Sequence, residues 1–356
     1  MELAVIWFVA IAVLWIGYFV LEGFDFGVGT LLPFMGRRNS VDRRVTINSI
    51  GPVWDANEVW LLTAGGAMFA AFPAWYASLF SGFYVPLFLI LIALILRGVA
   101  FEYRGKRDDP RWQDWWDRAI FFGSSVPAFL WGVAFANIVR GVAMDSDHIV
   151  TASLLDLLNP YALLGGVTTL SLFTLHGAVF LTLKTDGPVR VRARRATLVA
   201  ACVAVPAGAG FLLWTQFAHG KPWTLPLVLI AALALVAGVV ASWYRREGWS
   251  FVATAVTILA AVTALFGALF PDVLPSTTDA AFSLTVENAS SADYTLTVMS
   301  WVALVFLPLV IGYQSWSYWV FRKRVTREQV SLSAHAPAAH AATSGTTGGG
   351  GPDQAS

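Results

Sequence analysis

Long apolar runs separated by short polar breaks organise this chain, and the runs share a length. Nine of them, at 3–22, 53–73, 78–101, 118–140, 161–183, 196–217, 223–244, 250–270 and 298–321, are each long enough to cross about 30 Å of hydrocarbon at a helical rise of about 1.5 Å per residue. In lipid the backbone must satisfy its own polar groups, so the runs are predicted to be helices. The polar breaks alternate in character. Apart from Arg140 and Lys221, every Lys and Arg falls in Arg37 to Arg44, Arg97 to Arg118, Lys184 to Arg195, Arg245 with Arg246, or Arg322 to Arg327. The other breaks collect Asp145, Asp147, Asp272, Asp279, Glu287 and Asp293. The positive-inside bias then places the N-terminus outside and the C-terminus in the cytoplasm, which an odd number of spans also requires. The first run lacks a basic leader and a small-residue cleavage site, so it is expected to be a retained span.

Composition makes the membrane reading firm. Apolar residues make up 57% of the chain and charged ones 13%, with a mean hydropathy of +0.66, which leaves too little polar surface to coat a water-soluble globule. The net charge of +1 is the sum of two opposite faces and points to no nucleic-acid partner. Residues 331–356, rich in Ala, Ser, Thr and Gly, cannot bury enough apolar surface to offset ordering and are expected to be a disordered cytoplasmic tail beyond a transmembrane domain of residues 1–330.

Few side chains suit metal or nucleotide chemistry. Cys202 stands alone in a span and reads as a small buried apolar residue. His176 is the one histidine inside a span. It reads as a heme axial ligand or, more commonly for a single His between helices, as a group hydrogen-bonded to a neighbouring helix. The glycines of GFDFGVG (residues 23–29) lack the spacing and the preceding strand of a nucleotide-binding turn.

Carboxylates at the ends of apolar runs are the stronger signal. Glu22 and Asp25 close the first run in EGFDFGVG, and Asp55 and Glu58 open the second in GPVWDANEVW. Each pair has a spacing of three and so shares a helix face. Four carboxylates are therefore expected to meet at the cytoplasmic ends of two adjacent antiparallel helices. A first-turn acid such as Asp55 gains about 0.3–1 kcal/mol from the helix dipole. Asp25, at an expected C-terminal end, gains nothing from it. Two explanations stay open for Asp25: static pairing with Arg37, Arg43 or Arg44, or a proton path through coupled carboxylates. Asn57, Trp54 and Trp60 accompany the acids; Trp54 has the depth of an interfacial belt residue, and Trp60 lies deeper and is expected to face protein. Arg97 and Glu102, at the cytoplasmic end of the third run, are candidate charge partners. Trp112, Trp115, Trp116, Trp316 and Trp319 read as interfacial anchors.

These motifs carry a resemblance. GFDFGVG, RRVTINSIGPVWDANEVWLLTAGGAMFAAFP, RGVAFEYRGK, WGVAFANIVRG and LTVMSWVALVFLPLVIGYQSWSYWVF are similar, in order, to subunit II of cytochrome bd-type quinol oxidases, over nearly all of residues 1–330. The resemblance implies nine helices, eight of them in two four-helix bundles plus one additional helix, in the bacterial cell membrane. It also implies a heterodimer with a heme-bearing subunit I that holds two b hemes and heme d, oxidises membrane quinol and reduces dioxygen to water. The present chain would ligate no heme and would scaffold its partner, with membrane lipids and small single-helix accessory subunits as further neighbours. It implies a proton path at Asp55 with Asp25 nearby, extended by Glu22, Asn57 and Glu58, and an oxygen route, or else core packing, at Trp60 and Trp54. Glu58 stands where some relatives have Gln, and the AHGKPW loop (residues 218–223) is shorter than in some members. From the residues alone, a secondary transporter is the alternative, since nine helices with intramembrane acids would suit one; acids gathered at one face instead of the midplane favour a half-channel.

Overall fold

The computed structural model describes residues 2–36 and 39–330. Eleven α-helices follow one another: α1 (Glu2–Met35), α2 (Ser40–Ile50), α3 (Trp54–Ala71), α4 (Pro73–Gly82), α5 (Tyr84–Tyr103), α6 (Pro110–Arg140), α7 (Pro160–Lys184), α8 (Gly187–Ala218), α9 (Leu225–Trp243), α10 (Glu247–Leu269) and α11 (Asp293–Val320). Eight of them, α1 and α5 to α11, are long and apolar enough to cross a membrane. The run expected at 53–73 forms as α3, but its 18 residues include Asp55, Asn57 and Glu58, which keeps it outside that group. Local chemistry sets the boundaries. Asp109 and Asn159 cap α6 and α7 by accepting from Arg111 N (3.0 Å) and Ala162 N (3.0 Å), each followed by a proline in the first turn. Gly141, at φ +86°, ends α6 in a conformation that side chains rarely adopt.

The largest departure from the expected spans is α1. It was predicted to end near residue 22, yet it runs unbroken to Met35, about 51 Å at the usual rise. The glycines of GFDFGVG do not terminate it. They let neighbouring helices approach: a Cβ at Gly27 would lie 1.9 Å from the Phe173 carbonyl oxygen, and one at Gly177 would lie 2.5 Å from the backbone of Gly27. Contacts that close at the α1–α7 crossing offset the roughly 1 kcal/mol that each helical glycine costs.

Helix α1 is the central element, packed on α3, α6, α7 and α10. Helices α7, α8, α9 and α10 close into a ring, α7 on α8, α8 on α9, α9 on α10 and α10 on α7. Between α1 and α6 to α10 lies an apolar cavity of about 230 Å³, bounded by Trp131, Leu172, Phe211, Leu235 and Ile258 among others. Helix α11 is different in kind: 6% of its most apolar window is buried, against 50% for α1. It touches the body at two places. Trp7 Nε1 donates to Leu296 O (3.3 Å) and Ser300 Oγ (3.1 Å) near one end, and Gln314 and Tyr318 reach inward near the other. Cys202, expected inside, lies exposed on α8, because its side of that helix faces away from the ring.

The all-α expectation holds apart from two short antiparallel strands, β1 (Asp272–Leu274) and β2 (Leu284–Thr285), in the loop before α11. That loop packs on the one after α6: Val142 N donates to Pro275 O (3.0 Å), and His148 Nδ1 donates to Phe282 O (2.8 Å), while Ser78 Oγ of α4 donates to His148 O (2.7 Å). At the opposite end, the unexpected α2 is capped by Asn39, which accepts from Val41 N (2.9 Å), and is held by ion pairs. Asp42 accepts from Arg192 and from Arg327 (2.7 and 2.8 Å), and Arg43 donates to Asp114 and to Asp117 (2.7 Å). Arg104 also donates to Asp117, and Glu247 accepts from Arg190 (3.0 Å) and Arg194. The tail expected at 331–356 lies outside the described residues.

Candidate functional site

Because α1 continues past residue 22, Glu22 and Asp25 sit inside a helix and not at its end. Both are fully buried, so the dipole argument for a C-terminal acid does not apply to them. Arg97 comes from α5 with its guanidinium buried; Nη1 donates to Glu22 and to Glu58 Oε1 (3.0 Å). Its charge also lies 4.9 Å from the Phe26 ring centroid and 5.4 Å from that of Phe101, an arrangement that favours the cation. Asp25 is joined to α3 by Asn57, whose Nδ2 donates to Asp25 Oδ2 (2.6 Å) and to Leu21 O (3.4 Å). Two carboxylates therefore share one guanidinium within the packed helices, and a third, Asp25, lies beside them on the Asn57 amide. Glu22 Oε2, Asp25 Oδ1, Arg97 Nε and Arg97 Nη2 are buried there without a partner.

Other predicted positions fall outside this cluster. Asp55, in the first turn of α3, is exposed and makes no hydrogen bond or ion pair among the described residues. Glu102 is likewise exposed and unpaired among them; the turn that carries Arg97 inward carries Glu102 outward. Static pairing of Asp25 with the basic loop is overturned for Arg43, which is engaged by Asp114 and Asp117, and for Arg44, which is exposed. Arg37 lies outside the described residues. Trp54 packs on Phe101 at 5.0 Å between ring centroids. Trp60 lies over Gly17, where a Cβ would come within 2.2 Å of its ring, and its Nε1 donates to Gln314 Oε1 (2.7 Å).

Two residues that the sequence reading missed complete the site. Tyr318 OH donates to Asn57 Oδ1 (2.8 Å), and Gln314 Nε2 donates to the same oxygen (3.3 Å). The available signal was a glutamine in an otherwise apolar helix, where unpaired polar groups are costly.

Fully buried His176 has both ring nitrogens engaged, Nε2 with Val20 O (3.1 Å) and Nδ1 with Thr254 Oγ1 (2.7 Å). A carbonyl only accepts, so Nε2 carries the proton and Nδ1 takes one from the threonine. That is the helix-bridging alternative, and it leaves no nitrogen for a heme iron. Among the described residues no group of three or more His, Cys, Asp or Glu could hold a metal ion.

The fold and site define a multi-pass helical membrane protein with a buried, carboxylate-rich ionic cluster between its first helix and its neighbours. Its family follows from comparison: the family model described as cytochrome bd terminal oxidase subunit II matches residues 3–321, and the chain belongs to that family. It is 46% identical over 329 residues to cytochrome bd ubiquinol oxidase subunit 2 of Bacillus subtilis (strain 168), covering 91% of this chain and 97% of that protein. It is 36% identical over 370 residues to cytochrome bd-I ubiquinol oxidase subunit 2 of Escherichia coli (strain K12), covering 93% and 97%. The fold is like that of a chain in the bd oxidase from Geobacillus thermodenitrificans, with a TM-score of 0.76 at 18% identity, over 90% of this chain and 99% of that one. The chain is thus a subunit of a bd-type oxidase complex in the bacterial plasma membrane, and the carrier alternative falls.

Proposed function

We propose that this chain is the scaffolding and proton-conducting subunit of a complex that oxidises membrane quinol and reduces dioxygen to water. The relatives named as ubiquinol oxidase subunits support the reaction. The two b hemes and heme d belong, on this reading, to subunit I; His176, the one histidine inside a span, already has both ring nitrogens engaged. Small single-helix subunits and lipids complete the assembly. Nine helices span the membrane, α3 included, with α1, α3, α5 and α6 as one bundle, α7 to α10 as the second and α11 as the added helix. Basic residues at the α2 end put that end in the cytoplasm.

The observation that carries the proton role is the ratio of charges in the cluster. Glu22 and Glu58 share the guanidinium of Arg97 while Asp25 beside them is bonded to the Asn57 amide and not to a cation, and surplus negative charge in a membrane interior is costly. Protons neutralise such a surplus without adding bulk. The four unpartnered buried atoms are places where water would continue the hydrogen-bond path. Exposed Asp55, one turn before Glu58, forms the mouth of that path; Glu58 is part-exposed and leads inward to Glu22 and Asp25. For Trp60, the packing on Gly17 and the bond to Gln314 support core packing over an oxygen route.

Asp25→Asn in the assembled complex tests this reading. Quinol-dependent oxygen uptake should fall about 10- to 100-fold, within the range for a positioned proton-transfer group, while the reduced-minus-oxidised heme spectrum stays unchanged. Uptake at the wild-type rate across several pH values would overturn it.

A further inference from the structure

Four hydrogen bonds around Asn57 have a direction, and chemistry fixes it at both ends. An indole N–H can only donate. Trp60 Nε1 therefore needs the oxygen of the Gln314 amide, and it finds Oε1 at 2.7 Å. That leaves the Gln314 nitrogen to donate to Asn57 Oδ1 (3.3 Å), where Tyr318 OH also donates (2.8 Å). With two donors on its oxygen, Asn57 has only its NH2 to offer Asp25 Oδ2 (2.6 Å). At that end the backbone carbonyl Leu21 O, 3.4 Å from Asn57 Nδ2, is an acceptor only and demands the same orientation.

We propose that Trp60, Gln314 and Tyr318 are positioning residues that lock the Asn57 amide so that Asp25 always meets a donor. The proposal rests on Asp25 lying on the proton path. A donor stabilises the ionised carboxylate more than the carboxylic acid, whose remaining carbonyl oxygen accepts more weakly and whose own proton needs an acceptor. An unlocked Asn57 could turn its oxygen to the protonated form and retain the proton; a locked one cannot. Asp25 is thereby kept ready to release each proton it receives. The other ionisable groups facing Asp25 are Glu22 on its own helix, Glu58 on α3, Arg97 on α5 and the Tyr318 hydroxyl on α11. Helix α7 presents His176, which is turned to Val20 and Thr254. Of these groups, Tyr318 alone acts through the amide.

The two locking arms are redundant, so their removal should be non-additive. Gln314→Met keeps volume and removes one arm; Tyr318→Phe removes one hydroxyl and the other arm. In the assembled complex, each single variant should change the pH profile of quinol-dependent oxygen uptake little. The double variant should shift it to higher pH by about one to two units, the size expected from one lost charge-assisted hydrogen bond. Difference infrared spectroscopy supplies a readout independent of turnover: the carboxyl band that Asp25→Asn abolishes should persist to higher pH in the double variant. If neither the profile nor the band moves while Asp25→Asn still stops turnover, the lock is wrong and the proton path stands. If Asp25→Asn turns over like wild type, the path fails and the lock's part in turnover fails with it, whatever the band does.

Discussion

The buried cluster around Arg97 and the ion-paired layer around α2 use the same side chains in opposite proportions. In the layer, Asp42, Asp117 and Glu247 each face two guanidinium groups: Arg192 with Arg327, Arg43 with Arg104, and Arg190 with Arg194. In the cluster, Glu22 and Glu58 share a single guanidinium and Asp25 is bonded to an amide instead of a cation. A carboxylate between two arginines serves as a clamp, tying α2, α6, α8, α10 and the segment after α11 together at one end of the molecule. Carboxylates in excess of their cation carry unneutralised charge, and α1, α3 and α5 bring that charge together. On the function proposed above, the ratio of charges, more than their burial, separates a structural ion pair from a proton-carrying one.

Substitutions that change the ratio should separate the two regions. Arg97→Leu has the largest expected effect, because it strands the cluster's carboxylates without a cation; loss of about 3–5 kcal/mol should appear as poor recovery of the assembled complex. Arg97→Lys, which keeps the charge and loses the planar fork, should restore assembly in part. Next comes Asp25→Asn, with its expected 10- to 100-fold loss of turnover and intact heme content. Asp42→Asn strikes the layer and should lower thermal stability by about 1.5–3 kcal/mol without altering turnover; the loss should shrink at high salt, since Arg192 and Arg327 are part-exposed and screened. Turnover loss in Asp42→Asn equal to that in Asp25→Asn would dissolve the distinction. Glu102→Gln, at an exposed position, should change stability by no more than about 0.5 kcal/mol and leave oxygen uptake unchanged.

Much of this was legible in the sequence where a single physical signal acted locally. Helices α7 and α10 lie within three residues of their predicted ends, since an apolar run and its flanking polar residues fix both. The course of α1 was not legible. Glycines and two acids in EGFDFGVG imitate a helix end, and only the approach of α7 at Gly177 reveals why they continue one. Short, polar α2 carries no apolar run and owes its place to ion pairs with distant arginines. The acids of the site announced themselves by being out of place in apolar runs. Their pairing did not: Arg97 meets Glu22 across 75 positions, a distance at which no periodicity speaks. Gln314 stood out only as a polar residue in an apolar run and Tyr318 not at all, and their reach to Asn57 shows what they do.

The seating of α11 has a consequence for biogenesis. Asn57 accepts two hydrogen bonds from residues 257 and 261 positions further along the chain, on the last of the described helices. Until that helix is inserted and docked, the earlier spans can hold the carboxylates together around Arg97 but cannot fix the amide that faces Asp25. If the proposed path and lock hold, a subunit lacking α11 carries the carboxylates and Arg97 without the bonds that orient Asn57.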